Sequence, residues 1–206
     1  MNEPKRSFSA LGGYLFDRFR LSLARPINLH SYMKFVVLRD LGQRTHARCL
    51  VESGTFLGVT SARCARVFER VHTIELDPTL ASRAAALLKH HTNVCVHQGD
   101  AAMLLPRIMA EDWAHDVVIF LDGHFSGDIT ARGDIPEPAV LELVALKAYR
   151  DRICGVVVDD FRLFGTEPGF PTKAELLAAA ESSFPFPSFS ATVHADQLII
   201  ERHRVE

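Results

Sequence analysis

The sequence lacks the patterns that would place it in several large classes. Its four cysteines, Cys49, Cys64, Cys95 and Cys154, lie inside apolar strand or helix patterns, and none has metal-ligand pairing. A disulfide scaffold is excluded, and reduced core thiols in a cytoplasmic protein are expected. No apolar run is long enough to span a bilayer, which excludes stable membrane insertion by a helix, and no secretory signal with a cleavage site is present. A strong charge of one sign is also missing. The 23 Lys and Arg stand against 25 Asp and Glu, a net −2, so nothing global points to nucleic acid. There is no internal repeat, low-complexity tract or domain linker. The Gly-x-Gly-x-x-Gly turn expected of an NAD-binding protein is absent as well.

What is present suffices for one compact unit. The chain has 206 residues and is 48% hydrophobic, enough for a sizeable core. Charge is unevenly divided, because residues 1–48 hold nine Lys or Arg against three Asp or Glu. Within that basic part Leu15, Phe16, Phe19 and Leu23 fall on one face of a possible helix, with Arg18 and Arg20 outside it. Such a segment could touch a membrane surface or an acidic partner. The stronger expectation is a helical arm or cap, residues 1–48, that packs on its own domain or across a homo-oligomer. A second helix, Ser31 to Leu41, follows Pro26 and should lie beside the first strand. Asn28-Leu29-His30, between the two, could line a ligand mouth.

From Cys49 to the end, residues 49–206, strand and helix alternate with short connections. Strands are expected at 49–53, 71–76, 94–98, 116–121 and 153–158, with helices near 60–69, 79–90, 101–110 and 137–150. The runs at 117–121 and 153–158 are almost continuously apolar, as central parallel strands covered on both faces must be. After a helix near 172–183 and the break Phe184-Pro185-Phe186-Pro187, runs at 189–194 and 197–202 read as a hairpin around Ala195-Asp196. The expected fold is a Rossmann-like, doubly wound α/β sheet of seven strands, mostly parallel, with an antiparallel hairpin strand at its end.

In such sheets ligands bind at the carboxyl ends of the strands. The first strand ends in Glu52-Ser53-Gly54-Thr55-Phe56-Leu57-Gly58, and a helix then opens at Thr60-Ser61. Gly54 and Gly58 allow a tight turn and close approach to a ligand, and the helix start offers unpaired N–H groups. The second strand ends in Glu75-Leu76-Asp77-Pro78, where a carboxylate can accept from both hydroxyls of a ribose. Asp77 before proline reads as a helix N-cap. The third ends in Gly99-Asp100-Ala101, where Asp100 can accept from an adenine amino group or cap the next helix. The fourth ends in Asp122-Gly123-His124 and the fifth in Asp159-Asp160. Neighbouring aspartates after a buried strand repel unless a cation, a proton or a hydrogen-bond network holds them.

In order and spacing, residues 49–165 resemble the class I S-adenosylmethionine-dependent methyltransferases. They look most like the metal-dependent small-molecule O-methyltransferases, of the catechol and caffeoyl-CoA types and the macrolide-sugar and aminocoumarin types. The pieces are Glu52-x-Gly54-x-x-x-Gly58-x-x-Ser61, Glu75-Leu76-Asp77-Pro78, Gly99-x-Ala101-x-x-x-Leu105-Pro106, Leu121-Asp122 and Val158-Asp159-Asp160. The resemblance implies a cofactor site of Glu52, Gly54, Thr55, Gly58, Ser61, Glu75, Asp100, Ala101 and Asp122. It implies a divalent cation, Mg²⁺, on Asp122, Asp159 and Asp160. The Asp-Asp pair after the fifth strand follows the antibiotic-sugar types, where the catechol types carry Asp-Asn.

The chain departs from those types after the fourth strand. A lysine base three residues beyond the aspartate is replaced by Phe125, and a carboxylate two residues beyond it by His124. The loop 125–136 resembles a group of methyltransferase-like bacterial proteins with Asp-Gly-His-(aromatic)-Ser-Gly. The implied reaction is methyl transfer to a hydroxyl of a sugar, polyol or phenolic acceptor, with His124 as general base and Asp122 beside it. Two other readings stay open. His124, Asp122 and Asp159 could hold a redox-active iron in a hydroxylase-like enzyme, or the chain could be a binding module that has kept the fold.

Overall fold

The computed structural model describes residues 12–16, 18–19, 31–123 and 137–203. Seven strands form one sheet: β1 (Cys49–Ser53), β2 (Arg70–Glu75), β3 (Val94–Gln98), β4 (Val117–Leu121), β5 (Ile153–Val158), β6 (Phe189–His194) and β7 (Gln197–Arg202). Their order is β3-β2-β1-β4-β5-β7-β6. Strands β1 to β5 pair in parallel, while β7 runs antiparallel to β5 and to β6. The expected Rossmann-like sheet with its antiparallel C-terminal hairpin is therefore present. Ala195 and Asp196 both take positive φ at the hairpin tip, the geometry that matches the twist of the paired strands.

Among the described residues from Ser31 onward, six α-helices cover the two faces: α1 (Ser31–Thr45), α2 (Val59–Cys64), α3 (Pro78–Leu88), α4 (Ala101–Ala110), α5 (Ala139–Leu146) and α6 (Lys173–Ser183). The alternation of β4 separates two cores. Val117, Ile119 and Leu121 join a core with Leu105, Leu143 and Leu176, and Val118 and Phe120 join one with Leu38, Leu41 and Phe68. Burying a side chain such as Phe120, which is wholly enclosed, stabilises the fold by about 2–3 kcal/mol.

Several boundaries differ from expectation for local reasons. Helix α1 continues past Leu41 through Gly42, where a Cβ would come within 2.8 Å of the Phe68 ring. Glycine there permits close packing instead of ending the helix. Helix α2 stops at Cys64, well before residue 69, because Asn93 Nδ2 donates to the carbonyls of Ala65 and Phe68 and satisfies that terminus from outside. Asp77 caps α3 by accepting from Thr79 and Leu80, and Asp100 caps α4 by accepting from Ala102. Thr172 and Glu175 form a capping box on α6.

The cysteines need one correction. Cys49, Cys64 and Cys154 are buried and free, but Cys95 is exposed on β3. Strand β3 is the sheet's edge, so its apolar sequence pattern does not ensure cover on both faces. In the basic segment Tyr14 packs edge-to-face on Tyr32, while Leu15, Phe16 and Phe19 stay more than half exposed. Leu23 and Arg20 lie outside the described residues. Helix α1 is built into the sheet's cover, with Met33, Val37, Leu38 and Leu41 buried. No described helix is long and apolar enough to cross a membrane.

Candidate functional site

Register alone brings the acidic strand ends together. Leu121 of β4 is the partner of Val158 of β5, so the next residues, Asp122 and Asp159, stand side by side. Two backbone bonds beyond the strands hold them there, Asp122 N–H to the Ser53 carbonyl at 3.1 Å and Asp159 N–H to the Leu121 carbonyl at 3.0 Å. Asp160 takes a left-handed conformation, φ 51°. That breaks the in-and-out alternation of a strand and lets adjacent aspartates converge. Carboxylate oxygens of Asp122, Asp159 and Asp160 lie within 4.8 Å of one another.

Among the described residues, Lys34 and Arg162 answer this charge. Lys34 of α1 reaches Asp122 Oδ2 at 2.8 Å and also pairs with Asp159. Arg162 lies 2.5 Å from Asp160 and pairs with Asp196 at the hairpin tip. Burial works to lower the Lys34 pKa, but the attraction of Asp122 and Asp159 outweighs it and holds the ammonium above its ordinary value. Burial, with repulsion from Asp159, pushes the Asp122 carboxyl well above the usual range against the pull of Lys34. Gln197 donates to Asp159 Oδ1 at 2.8 Å.

The glycine turn is fitted against this cluster. Gly54 has φ 88°, and a Cβ on it would lie 2.2 Å from the Asp122 carbonyl oxygen. Gly58 has φ 70°, and its Cβ would press on Leu88. Gly54 and Thr55 N–H both donate to the Ile74 carbonyl, and the Thr55 hydroxyl meets Thr73 at 2.6 Å. Glu52 is 1% exposed and accepts from the Ser61 and Thr73 hydroxyls. Burial raises its pKa to about 7 despite those bonds. Glu52 and Ser61 thus hold the turn together from beneath. Glu75 accepts from Phe56 N–H at 2.7 Å and from Asp77 N–H at 3.0 Å, joining the loops after β1 and β2. Asp100 and Ala101 open α4, with Asp100 exposed. His124 lies outside the described residues.

Three residues went unnoticed in the sequence. Lys34 gave only a weak signal, a lysine among the apolar positions of α1. Glu137 and Glu142 lie before and within α5, both buried. Burial raises Glu137 to about 7 and Glu142 to about 8. Ser53 Oγ donates to Glu142 at 3.4 Å.

Known proteins share this architecture. No family model matches the chain. The protein-L-isoaspartate O-methyltransferase of Roseiflexus sp. (strain RS-1) is 39% identical over 59 residues, 28% of this chain. That of Roseiflexus castenholzii is 42% identical over 59 residues. Each match spans only 27% of the length of these curated relatives. Among solved structures, the O-methyltransferase from Bacillus cereus in complex with SAH has a TM-score of 0.62 and 19% identity, over 98% of this chain and 92% of that one. TomG from Streptomyces achromogenes, an O-methyltransferase of tomaymycin synthesis in complex with SAM, has 0.60 and 20%, over 96% and 90%. The SAH-bound methyltransferase PaMTH1 of Podospora anserina has 0.60 and 14%, over 98% and 91%. The chain has the fold of these S-adenosylmethionine-dependent methyltransferases.

Proposed function

We propose that the chain is an S-adenosylmethionine-dependent methyltransferase that methylates a hydroxyl oxygen of a small sugar, polyol or phenolic acceptor. The observation that carries this reading is the convergence of Asp122, Asp159 and Asp160 beside the Gly54 turn, at the carboxyl edge of a methyltransferase sheet. Gly54 and its neighbours would face the methionine part of the cofactor. Glu75 would accept from the ribose hydroxyls and Asp100 from the adenine amino group. The bound cofactor would supply a sulfonium methyl to the acceptor oxygen as its carbon–sulfur bond breaks, and the hydroxyl proton would pass to a base, for which His124 is the candidate. Much of the rate would come from alignment of the two reactants.

The donor set fits a hard divalent cation such as Mg²⁺, because three converging carboxylates supply only oxygen. Asp122, Asp159 and Asp160 would hold it, after Lys34 swings aside on its flexible stem. Such a cation would lower the pKa of the acceptor hydroxyl. One observation favours a second reading. Lys34 already balances Asp122 and Asp159, so its ammonium could orient the acceptor in a metal-independent methyltransferase. Calorimetric titration with S-adenosylmethionine, with and without Mg²⁺, tests the proposal. Binding with a Kd of about 1 μM or tighter is expected. No binding at millimolar cofactor would overturn it.

A further inference from the structure

The sheet edge opposite the hairpin carries a second cluster of ligating groups. His72 of β2 and Cys95 of β3 are register partners, and His97 follows two residues along β3. Register partners and residues two apart share a face, so all three project from one side of the sheet. One ligand atom of each lies within 4.8 Å of the other two. His72 Nδ1 and His97 Nε2 are 2.9 Å apart. Trp113 stacks on the His72 ring with centroids 4.1 Å apart, and the two imidazoles lie edge to edge with centroids 5.1 Å apart. The rings are half-buried and held in plane, whereas Cys95 is exposed. The cluster therefore has an apolar back and an open front.

We propose that His72, Cys95 and His97 bind one divalent cation of the Zn²⁺ kind, which staples edge strand β3 to β2. Two imidazoles and a thiolate are borderline to soft donors, suited to late transition metals and not to Mg²⁺. Zinc takes nitrogen at about 2.0–2.1 Å and sulfur at about 2.3 Å, which sets neighbouring ligand atoms roughly 3.3–3.6 Å apart. The ring nitrogens, 2.9 Å apart, would open to that spacing and exchange their mutual hydrogen bond for the metal. A metal takes each ring through a nitrogen without its proton, so binding here competes with protonation. The guanidinium of Arg70 lies over the Trp113 ring, 5.8 Å from its centroid. Three protein ligands and an open front leave a fourth position for water. The staple would fix strands whose ends carry Glu75 and Asp100, and it shares no ligand with the aspartate cluster.

Titration of the full chain with Co²⁺, followed by absorption, tests the site. A thiolate-to-cobalt band in the near ultraviolet should report one Co²⁺ at this cluster, and Zn²⁺ should displace it. Cys95→Ser should remove the band; because Cys95 is exposed, this change leaves packing untouched. His97→Ala should weaken binding by more than about tenfold, since even loss of a supporting partner costs 10–100-fold. Zn²⁺ should raise the Tm of the parent and of Asp159→Ala alike. The absence of the band in the parent overturns the proposal. An equal Zn²⁺ response in parent and a Cys95→Ser, His97→Ala double variant does so too, as does loss of the response in Asp159→Ala.

Discussion

Lys34 Nζ lies 2.8 Å from Asp122 Oδ2, joining α1 to the end of β4 across 88 positions of chain. The same ammonium pairs with Asp159, so one flexible cation neutralises two crowded carboxylates. Replacing Lys34 by Met removes that charge but keeps the stem's bulk. Breaking a buried ion pair by losing one partner typically costs about 3–5 kcal/mol, and this part-buried pair costs less than that. The variant should melt well below the parent. Mg²⁺ should then restore more of its Tm than it adds to the parent, because the aspartates have lost their resident cation. Thermal melts at matched ionic strength decide it, and an equal Mg²⁺ response in both proteins would disprove competition for the site.

Glu75 ties two loops together through Phe56 and Asp77 N–H. Glu75→Ala leaves both donors without their acceptor and removes the ribose contact proposed above. A hydrogen bond to a charged group contributes about 1.5–3 kcal/mol. Calorimetry should show cofactor affinity falling roughly 10–100-fold. Unchanged affinity would mean that the ribose is read elsewhere.

Three buried glutamates make stability depend on pH. Burial lifts Glu52 and Glu137 to about 7 and Glu142 to about 8, against about 4.3 in an unfolded chain. The folded state therefore holds protons that the unfolded state releases. This contribution is complete below about pH 4 and is lost as pH rises through the folded values near 7 and 8. Tm should fall on going from about pH 5 to about pH 9. Glu142→Gln, which keeps the shape beside Ser53 and loses the charge, should flatten that fall. At about pH 9 it should melt a few degrees above the parent, given roughly 2–4 °C per kcal/mol for a chain this size. Scanning calorimetry across that range would expose the idea as mistaken if the two curves ran parallel.

Much of this was legible because it rests on local pattern. The unbroken apolar runs of β4 and β5 announced central strands. Once those strands are neighbours, register alone sets Asp122 against Asp159. Lys34 was not legible, since its partners lie far along the chain and only the packing of α1 brings them near. The helix after Gly58 was read too long because Asn93, which ends it, arrives from before β3. Cys95 passed for a core thiol, although pairing with β2 places it beside His72 and His97. Glu142 sits in an apolar helix, where its burial depends on how α5 settles over Ser53.

Gly54 offers a test of the turn itself. A methyl there would meet the Asp122 carbonyl oxygen at 2.2 Å, at a φ of 88° that L residues rarely adopt. Gly54→Ala must shift the loop or Asp122. Cofactor binding should be lost by calorimetry, with a Tm drop reflecting at least about 1 kcal/mol. Parent-like binding would place the cofactor away from this turn.

The aspartate cluster carries the last prediction. Like charges at this separation repel, and a divalent cation that binds only the folded chain stabilises it by mass action. Mg²⁺ should raise the Tm of the parent, and Asp122→Ala should abolish the response. Asp159→Asn should be milder than Asp159→Ala, since an amide oxygen can still ligate and can still meet Gln197. Chelator should stop methyl transfer while leaving cofactor binding largely intact, because the carboxylates and the Gly54 turn serve different ligands. Sodium at equal ionic strength, and calcium, control for screening, which relieves any crowded acidic site to some degree. Full transferase activity in excess chelator would reject the cation. Lys34 would then be left as the charge that faces the acceptor, and Lys34→Met should abolish turnover where Asp160→Asn does not.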